Sequence, residues 1–351
     1  MKGAKSSLLA LLPWLVLAGL SAGVAVGGSD YLLHLAIVTA IYAIVAMSLD
    51  LAFGYTGLFS IAHASLFGLG AYATGLLVLK AGAPLPLALL GGGAIAAVVG
   101  SAIVAVFSRM EGPYFAIGTF ALCELVRVVL NEWRGLTNGP LGLMFPPESG
   151  RLDLLLFGIN VRDKTQFFIF VATLTFATAA MLTLLLKSRL GGKMTYVRDD
   201  PHLAMSLGVN VLRTKLISFT ISGWIAGIAG GLFGIYLQFI APSSFSGLES
   251  VRLVMMVVIG GAGTLLGSVV GSGLIILLPQ AVRMDPTDSL IITGIILVLV
   301  VLFLPKGIVG SAQDALAHWL ARCHGSVEDQ SMGQAPVKEP LRAEVRRNEN
   351  S

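Results

Sequence analysis

Charge is scarce in this chain. Only 12% of its 351 residues are Asp, Glu, Lys or Arg, 56% are hydrophobic, and the mean hydropathy is +0.86. A soluble domain carries about 25% charged residues. The shortfall excludes an ordinary soluble protein and leaves a polytopic membrane protein. Cysteine is scarcer still, with Cys123 in an apolar run and Cys323 in the polar tail. They make no disulfide framework, and no Cys/His cluster has metal-ligand spacing. The chain also lacks G-x-x-x-x-G-K-[ST], so it has no P-loop to cradle a nucleotide phosphate. H-E-x-x-H, G-x-S-x-G and Cys-x-x-Cys are missing too. Catalysis, a cofactor and a metal have no support, and transport is the default for such a bundle.

Apolar runs are what the sequence has in abundance. A span needs about 20 apolar residues. The first candidate runs from Leu8 to about Val26, longer than a signal-peptide core of about 7–15 residues; an uncleaved first span is expected, with a cleaved signal as its rival. Further candidates are Tyr31–Ala52, Gly57–Leu79, Leu85–Phe107, Tyr114–Leu130, Phe167–Leu186, Leu216–Phe239, a Gly-broken region Val251–Val282, and Ser289–Leu304. The fold expected is an all-α membrane bundle of about 8–10 spans, with residues 1–304 as the transmembrane domain. Residues 131–166 form a long polar loop with balanced charge, and 305–351 a polar, largely disordered tail. A short amphipathic stretch, Ala312–Leu320, suits a membrane surface.

Glycine, at 42 residues, bears on packing. Gly223, Gly227 and Gly231 share one helix face, as do Gly267 and Gly271, and such faces let helix backbones approach closely. The run Gly260-Gly261-Ala262-Gly263 predicts that Val251–Val282 bends back on itself and does not complete one crossing. Irregular backbone at membrane depth is tolerated only where protein or a wet cavity covers it. An ordinary extra span is the alternative.

The basic residues concentrate between two apolar runs. Lys187–Lys215 holds six Lys/Arg against Asp199 and Asp200, and this loop explains the net charge of +4 without nucleic acid. Short Lys/Arg-rich loops stay cytoplasmic. With the N-terminus inside, four spans bring Arg109 inside and two more bring Lys187 inside. Arg283–Asp288 has more acid than base and fits the outside; with the hairpin, the tail is cytoplasmic. Within the basic loop, Asp200 suits an N-cap, Pro201 the first helical position and Gly208 a left-handed stop. Leu203, Ala204 and Leu207 share one apolar face at helical spacing. A plain connecting loop has no use for such a face, so docking on a cytoplasmic partner is expected.

Two intramembrane stretches carry polar groups. Asp50–Gly70 sets Tyr55, Thr56, Ser60, His63 and Ser65 among glycines; broken helices with hydroxyls are how transporters build polar paths. The alternative is a tight turn at Gly54 and Gly57, with hydroxyls bonding back to their own helix. Glu124 and Arg127, at i, i+3, pair on one face and are either a neutralised structural pair or a functional site. Proton coupling would call for more buried acids than Asp50 and Glu124.

Four blocks, in order, resemble the permease subunits of bacterial ABC importers for branched-chain amino acids, the LivM-type half. The first is Leu49-Asp50-Leu51 with Gly54-Tyr55-Thr56-Gly57-Leu58-Phe59-Ser60, His63-Ala64 and Gly68-Leu69-Gly70-Ala71-Tyr72. The second is Gly112–Ile117 with Glu124, Arg127, Leu136-Thr137-Asn138-Gly139 and Leu141-Gly142-Leu143. The third is Arg198-Asp199-Asp200 through Leu207-Gly208-Val209-Asn210-Val211, and the fourth Gly260–Thr264 with Gly267. The likeness covers about Tyr31–Leu304. Family members carry a more acidic, Ala-rich segment where this chain has Pro201-His202-Leu203-Ala204-Met205-Ser206.

The resemblance implies a pathway formed with a second permease subunit, a different but related chain. It implies two cytoplasmic ABC ATPase subunits, a periplasmic substrate-binding protein and a place among the lipids of the bacterial inner membrane. Arg198, Asp199, Asp200, Pro201, Leu203, Ala204, Leu207 and Gly208 would couple to the ATPases. Tyr55, Thr56, Ser60, His63, Ser65, Glu124 and Arg127 would border the path. Related ABC permeases for urea, short amides or sugars share much of this pattern. An ion-coupled secondary transporter using Asp50, Glu124 and Arg127, or a membrane scaffold without transport, are the alternatives.

Overall fold

The computed structural model describes residues 2–110, 112–145, 151–154, 157–160, 163–281, 286–304 and 306–312. The chain falls into two units, Met1–Gly310 and Ser311–Ser351, and the description is of the first. The surface stretch expected at 312–320, Cys323 and the tail lie outside the described residues from 313 onward, as do 283–285 of the acidic turn.

The fold is an all-α polytopic bundle. Its helices are α1 (Lys2–Gly27), α2 (Asp30–Phe53), α3 (His63–Leu79), α4 (Leu85–Phe107), α5 (Pro113–Glu132) and α6 (Arg134–Thr137). After them come α7 (Lys164–Lys187), α8 (Arg189–Asp199), α9 (Pro201–Ser206), α10 (Val211–Leu237), α11 (Gly247–Gly260), α12 (Leu265–Ala281) and α13 (Pro286–Phe303). Among the described residues, α2, α4, α5, α7 and α10 are each long and apolar enough to cross a membrane, and α11 with α12 makes a sixth candidate bent by 120°.

Small residues set the packing. The central helix α10 lies against α4, α3 and α2. A Cβ on Gly223 would press on the Ala96 carbonyl, one on Gly227 would overlap Ala96 and Gly93 of α4, and one on Gly230 would overlap the Phe67 backbone of α3. Close backbone approach replaces the hydrophobic drive that lipid does not provide. Tyr42, Phe67, Phe233 and Phe245 fill the space beside this seam as a ring cluster. Side-chain caps fix several helix starts: Ser29 for α2, Asp163 for α7, Ser188 for α8 and Asn210 for α10, each occupying backbone N–H groups that the helix leaves free.

The bundle has two distinct ends. At one, Leu143–Met144 pairs antiparallel with Phe239–Ile240, Tyr31 donates to Gln280, and Lys164 pairs with Asp30. This is the strand end. At the other, the loop end, lie α8, α9 and both helix breaks. Gly307 closes on that end too, so near Gly261 that a Cβ on it would overlap the Gly261 backbone. The return of α13 to the loop end agrees with the expected bend.

The polar connection 131–166 holds α6, a 3-10 turn at Gly139–Leu141, one strand of the pair above and a hairpin, Arg151–Leu154 with Phe157–Asn160. Two sequence expectations need correction. The run Gly57–Leu79 becomes helix only at His63, because its first six residues are irregular. The broken region starts as helix at Gly247, earlier than Val251.

Candidate functional site

The basic loop folds as two helices. Asp200 separates them, accepting from the N–H groups of His202 (2.8 Å) and Leu203 (3.0 Å). These two donors hold its carboxyl below the usual aspartate value. Pro201 follows at the first helical position, and Gly208, at φ +78°, ends the turn in a conformation that glycine adopts without strain. The three apolar residues expected on one docking face separate. Leu203 and Leu207 stand 59% and 63% exposed, while Ala204 is buried against Val197 and Val209. A single six-residue turn cannot leave all three outward once α9 packs on α8, so Ala204 anchors the helix and the two leucines present it.

Arg198, the last basic residue of α8, reaches into the membrane unit. It pairs with its neighbour Asp199 at 2.9 Å and donates from Nη1 to the Gly54 carbonyl at 2.9 Å. The Gly54 carbonyl follows the end of α2, where the helix breaks. One turn earlier, Asp50 is fully buried and accepts the Gly263 N–H at 2.7 Å. A Cβ on Gly54 would overlap both Asp50 Oδ1 and Gly263 N. The breaks at Gly54–Ala62 and Gly261–Thr264 thus meet under one arginine. Gly261 (φ +118°) and Gly263 (φ +81°) supply backbone that other residues rarely adopt.

Toward the middle of the bundle, the polar groups of the first break are used internally. Thr56 bonds the Leu51 carbonyl and Ser218 (2.6 Å). His63 Nε2 bonds Ser222 (2.7 Å), which in turn donates to the Ser48 carbonyl. Ser60 accepts from Ala62 N–H, and Ser65 donates to the Ala62 carbonyl. Thr56, Ser60, His63 and Ser65 are all buried. Thr56, Ser60 and Ser65 thereby satisfy backbone groups at the break, while His63 bonds a side chain of α10. Ser218 and Ser222 were not singled out from sequence, although their i, i+4 spacing on an otherwise apolar helix marks a polar stripe.

The Glu124–Arg127 pair forms as its spacing expects, at 2.6 Å, with about a third of each side chain exposed (32% and 35%). Its second partner is new: Glu124 Oε1 accepts the Gly247 N–H at 2.7 Å, holding the first residue of α11 inside the bundle. Two residues later, Glu249 accepts from the Tyr42 hydroxyl (2.7 Å) and faces Arg252 at 3.7 Å. Glu249 adds a third acid to Asp50 and Glu124, and starting the span at Val251 hid it. The signal was a second Glu-x-x-Arg just after Ser246-Gly247. Among the described residues, no group of three or more His, Cys, Asp or Glu converges as a metal site.

Comparison with known proteins fits this arrangement. A family described as "Branched-chain amino acid transport system / permease component" matches residues 31–301. The chain is 28% identical over 300 residues to the high-affinity branched-chain amino acid transport system permease protein LivM of Salmonella typhimurium, covering 80% of this chain and 71% of that one. It is 29% identical to the LivM protein of Escherichia coli, with the same coverage. To the LivH permease protein of E. coli it is 24% identical over 288 residues, covering 77% of this chain and 91% of that one. No solved structure matches the chain.

Proposed function

We propose a mechanism from one premise: the chain belongs to the branched-chain amino acid transport permease family, whose model matches residues 31–301. It is a multi-pass membrane permease subunit of an ABC importer and not itself the source of nucleotide chemistry. Its ATP hydrolysis comes from two cytoplasmic ATPase subunits that dock on α9. The pairing of LivM and LivH relatives supports a second, different permease chain as the other half of the pathway. A binding protein delivers the aliphatic amino acid at the strand end, which faces outward across the bacterial inner membrane. Both termini are cytoplasmic, residues 1–304 carry the pathway, 187–215 are the coupling loop, and 131–166 lie outside.

The observation that carries this reading is the capped turn α9, with Leu203 and Leu207 outward and Ala204 locked inward. Exposed leucines four residues apart on a short, pre-formed helix suit a groove on a partner. Movement of α9 passes to α8, and Arg198 hands it to the Gly54 carbonyl. Because Gly54 touches Gly263, both breaks shift together. The buried hydroxyls of Thr56, Ser60 and Ser65 and the buried His63 imidazole act as the hinge lining of the path, and the Glu124–Arg127 pair seats α11 beside it.

The test is co-purification from native membranes of the parent chain and of a Leu203→Asp/Leu207→Asp double variant. ATPase subunits should come down with the parent and be lost with the variant, while the variant keeps the parent's elution profile and unfolding temperature. A folded variant that retains its ATPases, or a parent that captures none, sinks the coupling role of α9.

A further inference from the structure

Helix α1 precedes residues 31–301, the stretch that the permease family matches. It packs on α2 and α7, and between these three helices and α12 lies a cavity of about 260 Å³. The cavity follows α2 from Leu32 to Ala43, about 16 Å at 1.5 Å per residue. That is about the depth of one leaflet, half of a hydrocarbon core about 30 Å thick. Its mouth is at the strand end, by Leu32 and Phe168 in the first two turns of α2 and α7. Its floor lies near mid-membrane, where Trp14 meets the Phe176 ring edge-on at 6.3 Å. Leu20, Leu32 and Leu277 are exposed members of its lining, so the slot opens sideways to the surroundings of the bundle. None of the residues assigned above to the path or the coupling loop lines it.

The lining offers a ligand almost nothing polar. Its hydroxyls belong to Ser21, Thr39 and Thr175. Ser21 donates to the Ala18 carbonyl (2.8 Å) and Thr175 to the Val171 carbonyl (2.8 Å). Thr39 Oγ1 is buried and, among the described residues, has no partner. A trapped water needs about two to four polar partners, so one hydroxyl cannot hold it. Apolar cavities stay dry and take apolar guests, and the apolar guest that a membrane supplies is hydrocarbon. The charge at the mouth agrees. Lys164 lies one turn above Phe168 on the same face of α7, at i, i+4. Its partner Asp30, at 3.2 Å, is largely exposed. Such a surface pair is weak, which leaves the Lys164 ammonium open to a phosphate.

We infer that the slot holds one acyl chain of a phospholipid from the leaflet at the strand end, with the phosphate of that lipid at Lys164. The chain lies between α1 and α2 and so braces the helix that carries Asp50 and, at its end, Gly54. The inference needs only that the bundle spans a membrane, and it stands whatever substrate is carried.

The test uses the full chain, with whatever subunits co-purify, in vesicles of phosphatidylethanolamine and phosphatidylglycerol. A trace of phosphatidylethanolamine carries a photoactivated diazirine at mid-chain, and the cross-linked residues are read by peptide mass spectrometry. The chain should mark Leu35, Ala43 and Phe168, which are buried and line the slot. Lipid on the outer surface reaches only exposed residues such as Leu15 and Val16. Ala40→Phe, which fills the slot, should cut the marks on the buried residues about tenfold or more, the scale of about two lost methylene contacts. Leu15 and Val16 should stay marked as before. Ala36→Leu, a smaller filler, should fall between, and with the unfolding temperature of each variant it guards against a folding defect in the first. Thr39→Val should leave the marks unchanged, since a hydrocarbon chain uses no hydroxyl, and Lys164→Gln should lower them. Marks confined to exposed residues, undiminished marks in a folded Ala40→Phe, or loss of marks in Thr39→Val overturns the chain site. Undiminished marks in Lys164→Gln overturn the phosphate contact.

Discussion

The two helix breaks solve one problem by different means. At Gly54–Ala62 the chain satisfies an irregular backbone with side chains: Thr56 on Leu51, Ser60 and Ser65 on Ala62, and Thr119 from α5 receiving the Ile61 N–H. At Gly261–Thr264 it uses glycines in left-handed or related conformations, with one buried carboxylate, Asp50, taking the Gly263 N–H. The first solution is spread over many weak partners and tolerates loss of one. The second is concentrated in a few atoms. A break that can flex without coming apart needs the first kind, and a break that sets a sharp 120° bend needs the second.

The comparison is broken most severely at the contact between them. Gly54→Val puts branched carbon where Asp50 Oδ1 and Gly263 N already stand, and should destabilise the purified protein by about 3 kcal/mol, the upper part of the usual range for overpacking. Thermal unfolding in detergent measures this. Next in size is Asp50→Ala, which leaves the buried Gly263 N–H without its acceptor and should cost about 2 kcal/mol. Thr56→Val removes a hydroxyl whose partners Leu51 O and Ser218 keep each other, since Ser218 also donates to the Leu51 carbonyl; a loss of about 1 kcal/mol or less is expected. Equal losses for Asp50→Ala and Thr56→Val would erase the distinction between concentrated and spread support.

The smallest effect lies outside both breaks, at Asp200. Its carboxyl is held below the usual aspartate value by the His202 and Leu203 N–H groups. A lowered folded value means the cap's contribution is complete above the unfolded value and is lost as pH falls through the folded one. Amide exchange at His202 and Leu203 should therefore stay protected at neutral pH and open only on acidification, as pH falls below the ordinary aspartate range. Asp200→Asn should flatten that dependence. Protection that disappears already near neutrality would show that something other than this cap orders α9.

Much of this was legible before any coordinates. Apolar runs located α2, α4, α5, α7 and α10 within a few residues, because length and hydropathy decide what a membrane accepts. Asp200, Pro201 and Gly208 announced α9 through chemistry local to three positions. The facing of Ala204 was not legible, since it depends on α8 packing against α9, which no local pattern encodes. Glu249 was hidden for a related reason. A helix that starts inside the bundle looks, in sequence, like the edge of a loop, and its charges are assigned to water. The link from Arg198 to Gly54 spans 144 residues and is a product of topology alone.

The contact between Gly307 and Gly261 has a consequence for the order in which the molecule is completed. A ribosome delivers Asp50 and Gly54 early, Gly263 much later, and the residues after α13 almost last. The loop-end junction therefore stays open through most of synthesis and shuts only when 306–310 arrive over the second bend. Until Gly263 emerges the first break waits with Asp50 unmatched, a partly made bundle held for a partner still to come. Chains cut short before that point would carry nearly every span and still lack the piece that closes them.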